Sequence, residues 1–359
     1  MSLLILNQSE KIQQLAQKIF ARQFRQDSKM HTEYDERRKR LMLTDIIYNL
    51  ECLENAAKFK SADIFLDNAL WIYKLLVYRM PDIEPGRIKQ QMAGHYEAIL
   101  TVIREEYSEE VVKPAEQILL AAMEMTYAAV GENLQAEAFP VKETEYIRRQ
   151  YLDLLLQSRI KEAGMLIEEA VEKGIALQDI YLEILQKAMY EIGDLWHKNK
   201  ITVAKEHYFT AATQGIMAQL YKYIFTTPRR GCSILACCVG EELHEMGIRM
   251  LCDLFESEGW DSIYLGAALP VEGVIHAVQE HKPDLIALSV TMPHHLETCY
   301  RIVGELHKES DQKQKITRVA VGGRAFSLAP DLWREWGVDI SASDAKQLLD
   351  WANREICSH

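Results

Sequence analysis

An apolar run, then a polar hexapeptide, then a helical pattern is the feature that most limits the folds open to this chain. The run covers residues 234–240 and is typical of a buried strand, and apolar side chains then recur at helical spacing from Ile248 to Phe255. Strand, loop and helix in this order indicate an α/β unit. The hexapeptide, residues 242–247, is therefore expected at the carboxyl end of a strand, where open α/β sheets bind their ligands.

Three residues of the hexapeptide have the chemistry of a ligand site: Glu242, His244 and Gly247. A carboxylate two residues before a histidine can hold one ring nitrogen and leave the other for a metal. A glycine three residues later allows close approach of a bulky ligand. Taken alone, the same three residues fit a solvated loop histidine equally well.

Two more strand ends follow the hexapeptide. An apolar run over residues 285–288 leads to Ser289, and a run over 318–321 ends in Gly322 and Gly323. From residue 228 onward such short β-branched runs alternate with helical stretches, which indicates a parallel sheet with helices on its faces. The sequence predicts a doubly wound sheet domain over residues 228–359.

The order and spacing of these strand ends resemble cobalamin-binding domains, in which DxHxxG, SxL and GG each follow a strand of one sheet. Glu242 stands at the family's Asp position, and Ser289 with Thr291 stands in place of SxL. The resemblance covers about residues 230–359. It implies a Rossmann-like fold with His244 as the lower axial ligand of cobalt, a metal suited to imidazole. It also implies that Ser289, Thr291 and the glycine pair accommodate the displaced nucleotide tail of the cofactor.

The first two thirds of the chain are patterned as helices. Long amphipathic stretches over residues 141–226 predict a four-helix bundle, and residues 1–137 are helical throughout. Breaks are expected at residues 80–86, 107–108, 135–140, 173–174 and 198–200.

The junction of the last two bundle helices holds a second group of residues with functional chemistry: Trp196, His197, Val203, Glu206 and His207. In an ordinary bundle they would be a core tryptophan at a helix end and an exposed charged pair that opens the next helix. Their spacing resembles the Wx9EH motif of light-sensing, adenosylcobalamin-dependent regulators. In those proteins the bundle covers the upper face of the corrin ring.

This second resemblance implies that Trp196, Val203, Glu206 and His207 pack around the 5′-deoxyadenosyl group. It also implies that His197 becomes the upper cobalt ligand after light has broken the cobalt–carbon bond. An aromatic wall and a carboxylate that accepts ribose hydroxyls suit that role. Corrinoid methyl carriers of methyltransferase systems share the bundle-plus-sheet architecture with an open upper face, and they remain the alternative.

Helical stripes in the first block, at 46, 50, 53 and 57 and at 65, 69, 72 and 76, are compatible with plain core packing. The block also resembles the globin-like N-terminal domain of photocobilins, which implies a bound bilin such as biliverdin. Asn49 stands where that family has a histidine. Residues that would line a tetrapyrrole pocket, with arginines for its propionates, are Trp71, Tyr73, Tyr78, His95, Arg37, Arg38 and Arg79. A dimerisation bundle with solvated arginines is the alternative.

Charge, apolar runs and cysteine pattern limit the kinds of partner and the cellular compartment that we expect. A net charge of −12 argues against a direct nucleic-acid footprint, which needs a basic face. There is no apolar run of the ~18–20 residues that span a membrane and no signal-peptide pattern. The seven cysteines include no CxxC pair, so core thiols in a reducing cytosol are expected. We therefore expect a cytoplasmic, dimeric light sensor that signals to a protein partner.

Overall fold

The computed structural model describes residues 10–129, 143–310 and 317–357. The chain divides into two compact units, Met1–Asn133 and Leu134–His359. The expected break at residues 135–140 lies outside the described residues. The predicted bundle and sheet both belong to the second unit, and the division into three domains remains a prediction.

Over its described residues the first unit is helical. Its elements are α1 (Glu10–Gln26), α2 (Met30–Glu33), α3 (Glu36–Lys58), α4 (Asp63–Arg79), α5 (Pro85–Glu106) and α6 (Glu109–Ala128). The breaks expected at 80–86 and 107–108 are confirmed. Proline suits the start of α5 because its missing N–H has no partner to lose in the first turn of a helix. The predicted stripes lie in the core, with Ile46, Leu53, Phe65 and Ala69 all buried.

A polar network, which the sequence did not reveal, crosses the core of the first unit. Both ring nitrogens of buried His95 are engaged: Asn49 Nδ2 lies 3.1 Å from Nε2, and Gln23 Oε1 lies 3.0 Å from Nδ1. Burial lowers the pKa of His95 to about 4, so the ring is neutral at pH 7. His95 is therefore a satisfied core histidine in this structure.

The second unit begins with the predicted bundle. Its elements are α7 (Glu143–Leu156), α8 (Ile160–Glu172), α9 (Leu177–Asp179), a π-helical segment (Ile180–Leu185), α10 (Gln186–His197), α11 (Val203–Gln219) and α12 (Tyr221–Ile224). The interruptions expected at 173–174 and 198–200 are confirmed. Helix α9, the π-helical segment and α10 follow one another without a break and form one continuous helix. With α7, α8 and α11 this makes four helices, as predicted.

A five-stranded sheet follows the bundle. Its strands are β1 (Ser233–Val239), β2 (Asp261–Leu269), β3 (Leu285–Ser289), β4 (Arg318–Gly322) and β5 (Ile340–Ala342). They run parallel in the order β2-β1-β3-β4-β5. The connecting and final helices are α13 (Met246–Ser257), α14 (Val271–His281), α15 (Leu296–Ser310), α16 (Arg324–Ser327), α17 (Leu332–Glu335) and α18 (Ala345–Glu355).

This strand order confirms a doubly wound parallel sheet and places its switch point between β1 and β3. The hexapeptide follows β1 and Ser289 ends β3, so both lie at that switch point. Sequence patterning did not identify β2 and β5. Strand β5 has only three residues, and β2 is half-buried along most of its length, so neither forms a continuous apolar run.

Helix α13 is buried on two sides. Ile248, Leu251 and Phe255 pack into the core cluster of the sheet. Leu254, together with Met246 and Met250, packs into the core cluster of the bundle. The apolar positions from Ile248 to Phe255 therefore do not all face the sheet, because α13 lies between two cores.

The expectation of unpaired thiols is also corrected. Cys232 and Cys357 form a disulfide across 125 residues, with their Cα atoms 6.1 Å apart. The remaining cysteines are buried free thiols, as predicted, and Cys237 and Cys238 lie inside β1. The described helices include none that is both long enough and apolar enough to cross a membrane.

Candidate cofactor site

The carboxylate of Glu242 holds the ring of His244 at the end of β1. Glu242 is only 2% exposed, and its Oε1 contacts Nδ1 of His244. Its Oε2 accepts hydrogen bonds from the backbone N–H groups of Thr291 (3.1 Å) and Met292 (2.8 Å). One buried carboxylate thus joins the loop after β1 to the loop after β3.

The contact between Glu242 and His244 shifts the pKa values of both groups. Burial alone would raise the pKa of Glu242, but the hydrogen bond and charge of His244, with the Met292 amide, outweigh it and hold that pKa at about 2. The bond to Glu242 raises the pKa of His244. Nδ1 therefore keeps its proton, and Nε2 is the nitrogen left for a metal. The His244 side chain is 60% exposed, so a ligand can reach it.

A close approach beneath the loop also helps to position it. Gly240 has φ +66°, and a Cβ there would lie 2.6 Å from Nδ1 of His295. His295 packs against His294 with the two ring centroids 4.1 Å apart and the rings tilted by 52°. Burial lowers the pKa of both rings, that of His294 to about 3. These neutral rings form the packed base of the loop, and the sequence reasoning missed them.

The glycine pair at the end of β4, Gly322 and Gly323, allows segments of the protein's own backbone to approach each other closely. Gly323 has φ +93°, and a Cβ there would lie 2.4 Å from the carbonyl oxygen of Val290. At Gly322 a Cβ would lie 3.2 Å from the carbonyl oxygen of Ala342. Gly322 is also the register partner of Ser289. The glycines therefore let three strand ends converge, and their contact with a nucleotide tail remains a prediction.

Gly247 behaves differently. It lies in the first turn of α13, is exposed, and a Cβ there would meet no atom within 4 Å. The position three residues after His244 is therefore open to solvent and carries no side chain.

The bundle residues lie together at the α10–α11 junction. Trp196 and His197 end α10 and are half-buried, and Val203 begins α11 with 49% exposure. Glu206 is oriented by two neighbours: its Oε2 lies 2.6 Å from Nδ1 of exposed His207, and its Oε1 accepts from the Thr210 hydroxyl at 3.0 Å. Thr202, just before α11, accepts from the Lys205 N–H as a helix cap. The structure therefore clusters the five predicted bundle residues at one end of the bundle.

The bundle end and the histidine loop act on each other within the second unit. After the contributions of Glu242 and burial, the charge of Glu206 also raises the pKa of His244. A second link is Glu245, which sequence reasoning missed. Its Oε1 accepts from Nε2 of Gln214 on α11 (3.0 Å), and its Oε2 accepts from the hydroxyl of Tyr264 on β2 (2.9 Å). Gln214 is 31 residues away in sequence, so no local pattern signals the contact.

The donor set fits a cobalt corrinoid. A single exposed imidazole, with one nitrogen fixed by a buried carboxylate, suits a metal whose remaining equatorial ligands belong to its own macrocycle. Within the same unit, Gly247 is exposed and has no atom within 4 Å of its Cβ position. The half-buried Trp196 and the oriented carboxylate of Glu206 lie at one end of the bundle.

Comparison with known families supports this class of ligand. Residues 232–349 match the family model of a B12 binding domain, and residues 147–221 match a second B12 binding domain model. Bundle and sheet thus both match domains that bind cobalamin, and the corrinoid assignment of the second unit is supported.

Relatives share part of this module. The chain is 31% identical over 109 residues to the HTH-type transcriptional repressor CarH of Myxococcus xanthus, a match over 30% of this chain and 35% of that protein. It is 30% identical over 110 residues to D-ornithine 4,5-aminomutase subunit beta of Acetoanaerobium sticklandii, over 30% of this chain and 15% of that subunit. The matches thus span only a minor part of either relative.

Among solved structures, the monomethylamine corrinoid protein of Methanosarcina barkeri has a similar fold. The TM-score is 0.50 at 19% identity, over 58% of this chain and 98% of that one. This similarity confirms the fold of the second unit.

Proposed function

We propose that the protein is a light sensor that binds adenosylcobalamin, with His244 as the lower axial ligand. The observation that carries the proposal is the His244 ring, fixed by buried Glu242 and electrostatically coupled to Glu206 of the bundle. When bound, adenosylcobalamin supplies a cobalt–carbon bond that light can break. The protein's own residues hold the cofactor and respond to that change.

On the lower face, Glu242 keeps the proton on Nδ1 and presents Nε2 of His244 to cobalt. Ser289 and Thr291 offer hydroxyl groups to the nucleotide tail. Gly322 and Gly323 keep the strand ends beside that tail free of side chains. Gly247, three residues after His244, adds no side chain at its exposed position.

On the upper face, Trp196 and Val203 form an apolar wall against the adenosyl group. Glu206, already oriented by His207 and Thr210, accepts the ribose hydroxyls. His197, next to Trp196 at the end of α10, would be the bundle residue that can offer an imidazole nitrogen to the metal. A change at this junction alters how the bundle packs on the sheet, which is how the signal leaves the site.

The bulky side chains at the α10–α11 junction favour a sensor over a methyl carrier. A carrier must expose the upper face of the corrin to a partner methyltransferase, and a tryptophan with an oriented Glu-His pair obstructs that access. The partial similarity to a transcriptional repressor points the same way. The net charge of −12 favours output to a protein partner, within a homodimer, over direct contact with DNA.

Illumination of the 359-residue chain reconstituted with adenosylcobalamin tests the proposal. We expect the absorption spectrum of the adenosylcobalamin-loaded protein to change under green light and to stay constant in the dark. His197→Ala should keep the light reaction but change the spectrum of the lit state, because the upper ligand is lost. His244→Ala should lose the axial nitrogen in the dark state.

An unchanged spectrum under green light would refute the sensor. Preferential binding of methylcobalamin over adenosylcobalamin would instead support the methyl-carrier function. A wild-type spectrum in the His244→Ala variant would refute the axial assignment.

For the first unit we propose a bilin such as biliverdin. The proposal rests on the resemblance of this helical unit to a bilin-binding domain, and Asp45 on α3, a half-buried carboxyl group whose pKa burial raises to about 7, is the group that we expect to pair with pyrrole N–H groups. Arg37, Arg38 and Arg79 are the arginines that we propose for the propionates, and Arg38 also bonds to Asp82 at 2.6 and 2.9 Å.

Addition of biliverdin to the purified chain tests this proposal by absorption and fluorescence. Asp45→Asn should shift the bilin spectrum, because an amide cannot accept a proton from the pyrroles. Asp82→Asn, which disturbs only the partner of Arg38, is the control. Biliverdin that stays spectroscopically free in solution would rule the site out.

A further inference from the structure

The two carboxylate oxygens of Glu245 bond to two different parts of the second unit, the bundle and the sheet. Gln214 of the bundle donates to Oε1 at 3.0 Å, and Tyr264 of strand β2 donates to Oε2 at 2.9 Å. Burial, and then the bond to Glu245, raise the pKa of Tyr264, so its hydroxyl remains a donor at neutral pH. The carboxylate is thus tied to bundle and sheet at once.

The position of Glu245 in the sequence connects its two hydrogen bonds with the axial histidine. Glu245 directly follows His244, and it directly precedes Met246, which packs into the bundle core. Gln214 lies on α11, eight residues after Glu206, a separation of about 12 Å along a helix. A displacement of α11 at its upper-face end is therefore transmitted by a rigid helix to a side chain that bonds next to the axial histidine.

We propose that Glu245 is a positioning residue that couples the upper-face helix α11 to the axial-histidine loop. The inference rests on the proposed function, since it assumes that α11 and His244 face one corrin ring. When the Gln214–Glu245 bond is made, it holds the loop so that Nε2 of His244 can bind the metal. With the bond broken, the loop is released from the bundle and the axial nitrogen is presented less often.

A second tie between the bundle and α13 offers a matched control. The hydroxyl of Tyr181, in the π-helical segment, donates to Oδ2 of Asp253 on α13 at 2.8 Å. Both residues are buried, and Asp253 lies eight residues beyond Glu245. This bond also holds the bundle to α13, but it does not touch the histidine loop. It separates a general packing effect from a specific effect at Glu245.

The test measures axial ligation in protein loaded with cob(II)alamin. Electron paramagnetic resonance reports whether a nitrogen is bound to cobalt, and absorption gives the ratio of histidine-bound to histidine-free cofactor. We expect Gln214→Leu and Glu245→Ala to lower that ratio about tenfold, the size of one hydrogen bond to a charged group. Gln214→Glu should lower it at least as far, because two carboxylates then face each other.

Two variants should behave differently. Glu245→Gln keeps an acceptor for Gln214 and should retain most of the wild-type ratio. Tyr181→Phe should lower the thermal midpoint of the second unit and leave the ratio unchanged. Thermal melting of every variant without cofactor identifies any that fail to fold.

Each outcome decides the question. If wild type shows no axial nitrogen, or His244→Ala retains it, the proposed function fails. If wild type shows the nitrogen and Gln214→Leu matches it, only the coupling through Glu245 fails. An equal fall in Tyr181→Phe and Gln214→Leu would also overturn it, since general packing of the bundle would then explain both.

Discussion

At the scale of single residues, the structure separates side chains poised for chemistry from those that satisfy the core. His244 and His95 are both held through Nδ1, but His244 is exposed beside a carboxylate and His95 is buried among neutral amides. The carboxylate raises the pKa of the first ring, and burial lowers that of the second. Only the first ring keeps a nitrogen available for a ligand.

His95 carries a prediction about acid stability. Its folded pKa of about 4 lies below the usual 6.5 of an unfolded histidine, so the unfolded state takes up the proton first as the pH falls. Stability should therefore be lost between about pH 6.5 and pH 4, by up to roughly 3 kcal/mol. His95→Gln should remove this part of the pH dependence in urea unfolding monitored at pH 7.5 and 5. Parallel pH profiles for the two proteins would contradict the prediction.

At the scale of elements, α13 is a helix that packs against two partners, the bundle and the sheet. Its Met246, Met250 and Leu254 face the bundle, and its opposite face packs on the sheet. Its first turn differs from both faces, because Gly247 has open space where a side chain would be. We propose that the missing side chain at this position leaves room for the cofactor.

Gly247→Ala tests that explanation. Alanine is favoured over glycine inside a helix by about 1 kcal/mol, less in the first turn, so the cofactor-free protein should melt at the same or a slightly higher temperature. Cobalamin affinity should fall several-fold, because the new methyl group occupies the open space. Gly323→Ala is the contrasting control: it should destabilise the cofactor-free protein by at least about 1 kcal/mol, through its φ of +93° and the contact with Val290. Unchanged cobalamin affinity in Gly247→Ala would count against a ligand at this position.

At the scale of the whole molecule, bundle and sheet of the second unit share α13, which packs into both of their cores. Leu254 contributes to the bundle core from a helix that belongs, by sequence, to the sheet. Bundle and sheet are therefore expected to unfold together.

Leu254→Ala should destabilise the second unit by about 2–4 kcal/mol, the usual cost of truncating a buried leucine. Hydrogen exchange should then accelerate in bundle and sheet alike. Leu243→Ala is the matched control, since Leu243 is 71% exposed and its removal should cost less than about 0.5 kcal/mol. Faster exchange confined to the bundle would show that the two parts unfold separately.

Local patterns in the sequence determined most of the elements. Helical stripes and breaks located the helices around residues 80–86, 107–108 and 198–200, and β-branched runs located β1, β3 and β4. The spacing of Glu242, His244 and Ser289 placed them at adjoining strand ends, because the carboxyl ends of parallel strands meet at one edge of a sheet. Strand β5 was missed because three residues carry too little periodicity to be recognised.

Only the tertiary structure decided which distant residues meet. The bond from Gln214 to Glu245, the contact of Gly240 with His295 and the pairing of Cys232 with Cys357 join parts of the chain that no local pattern connects. Sequence periodicity reports which face of an element is apolar, and it is silent on what that face packs against. For this protein the sequence by itself determined the fold class and the candidate axial histidine, and three-dimensional packing decided how that histidine is held and which helix acts on it.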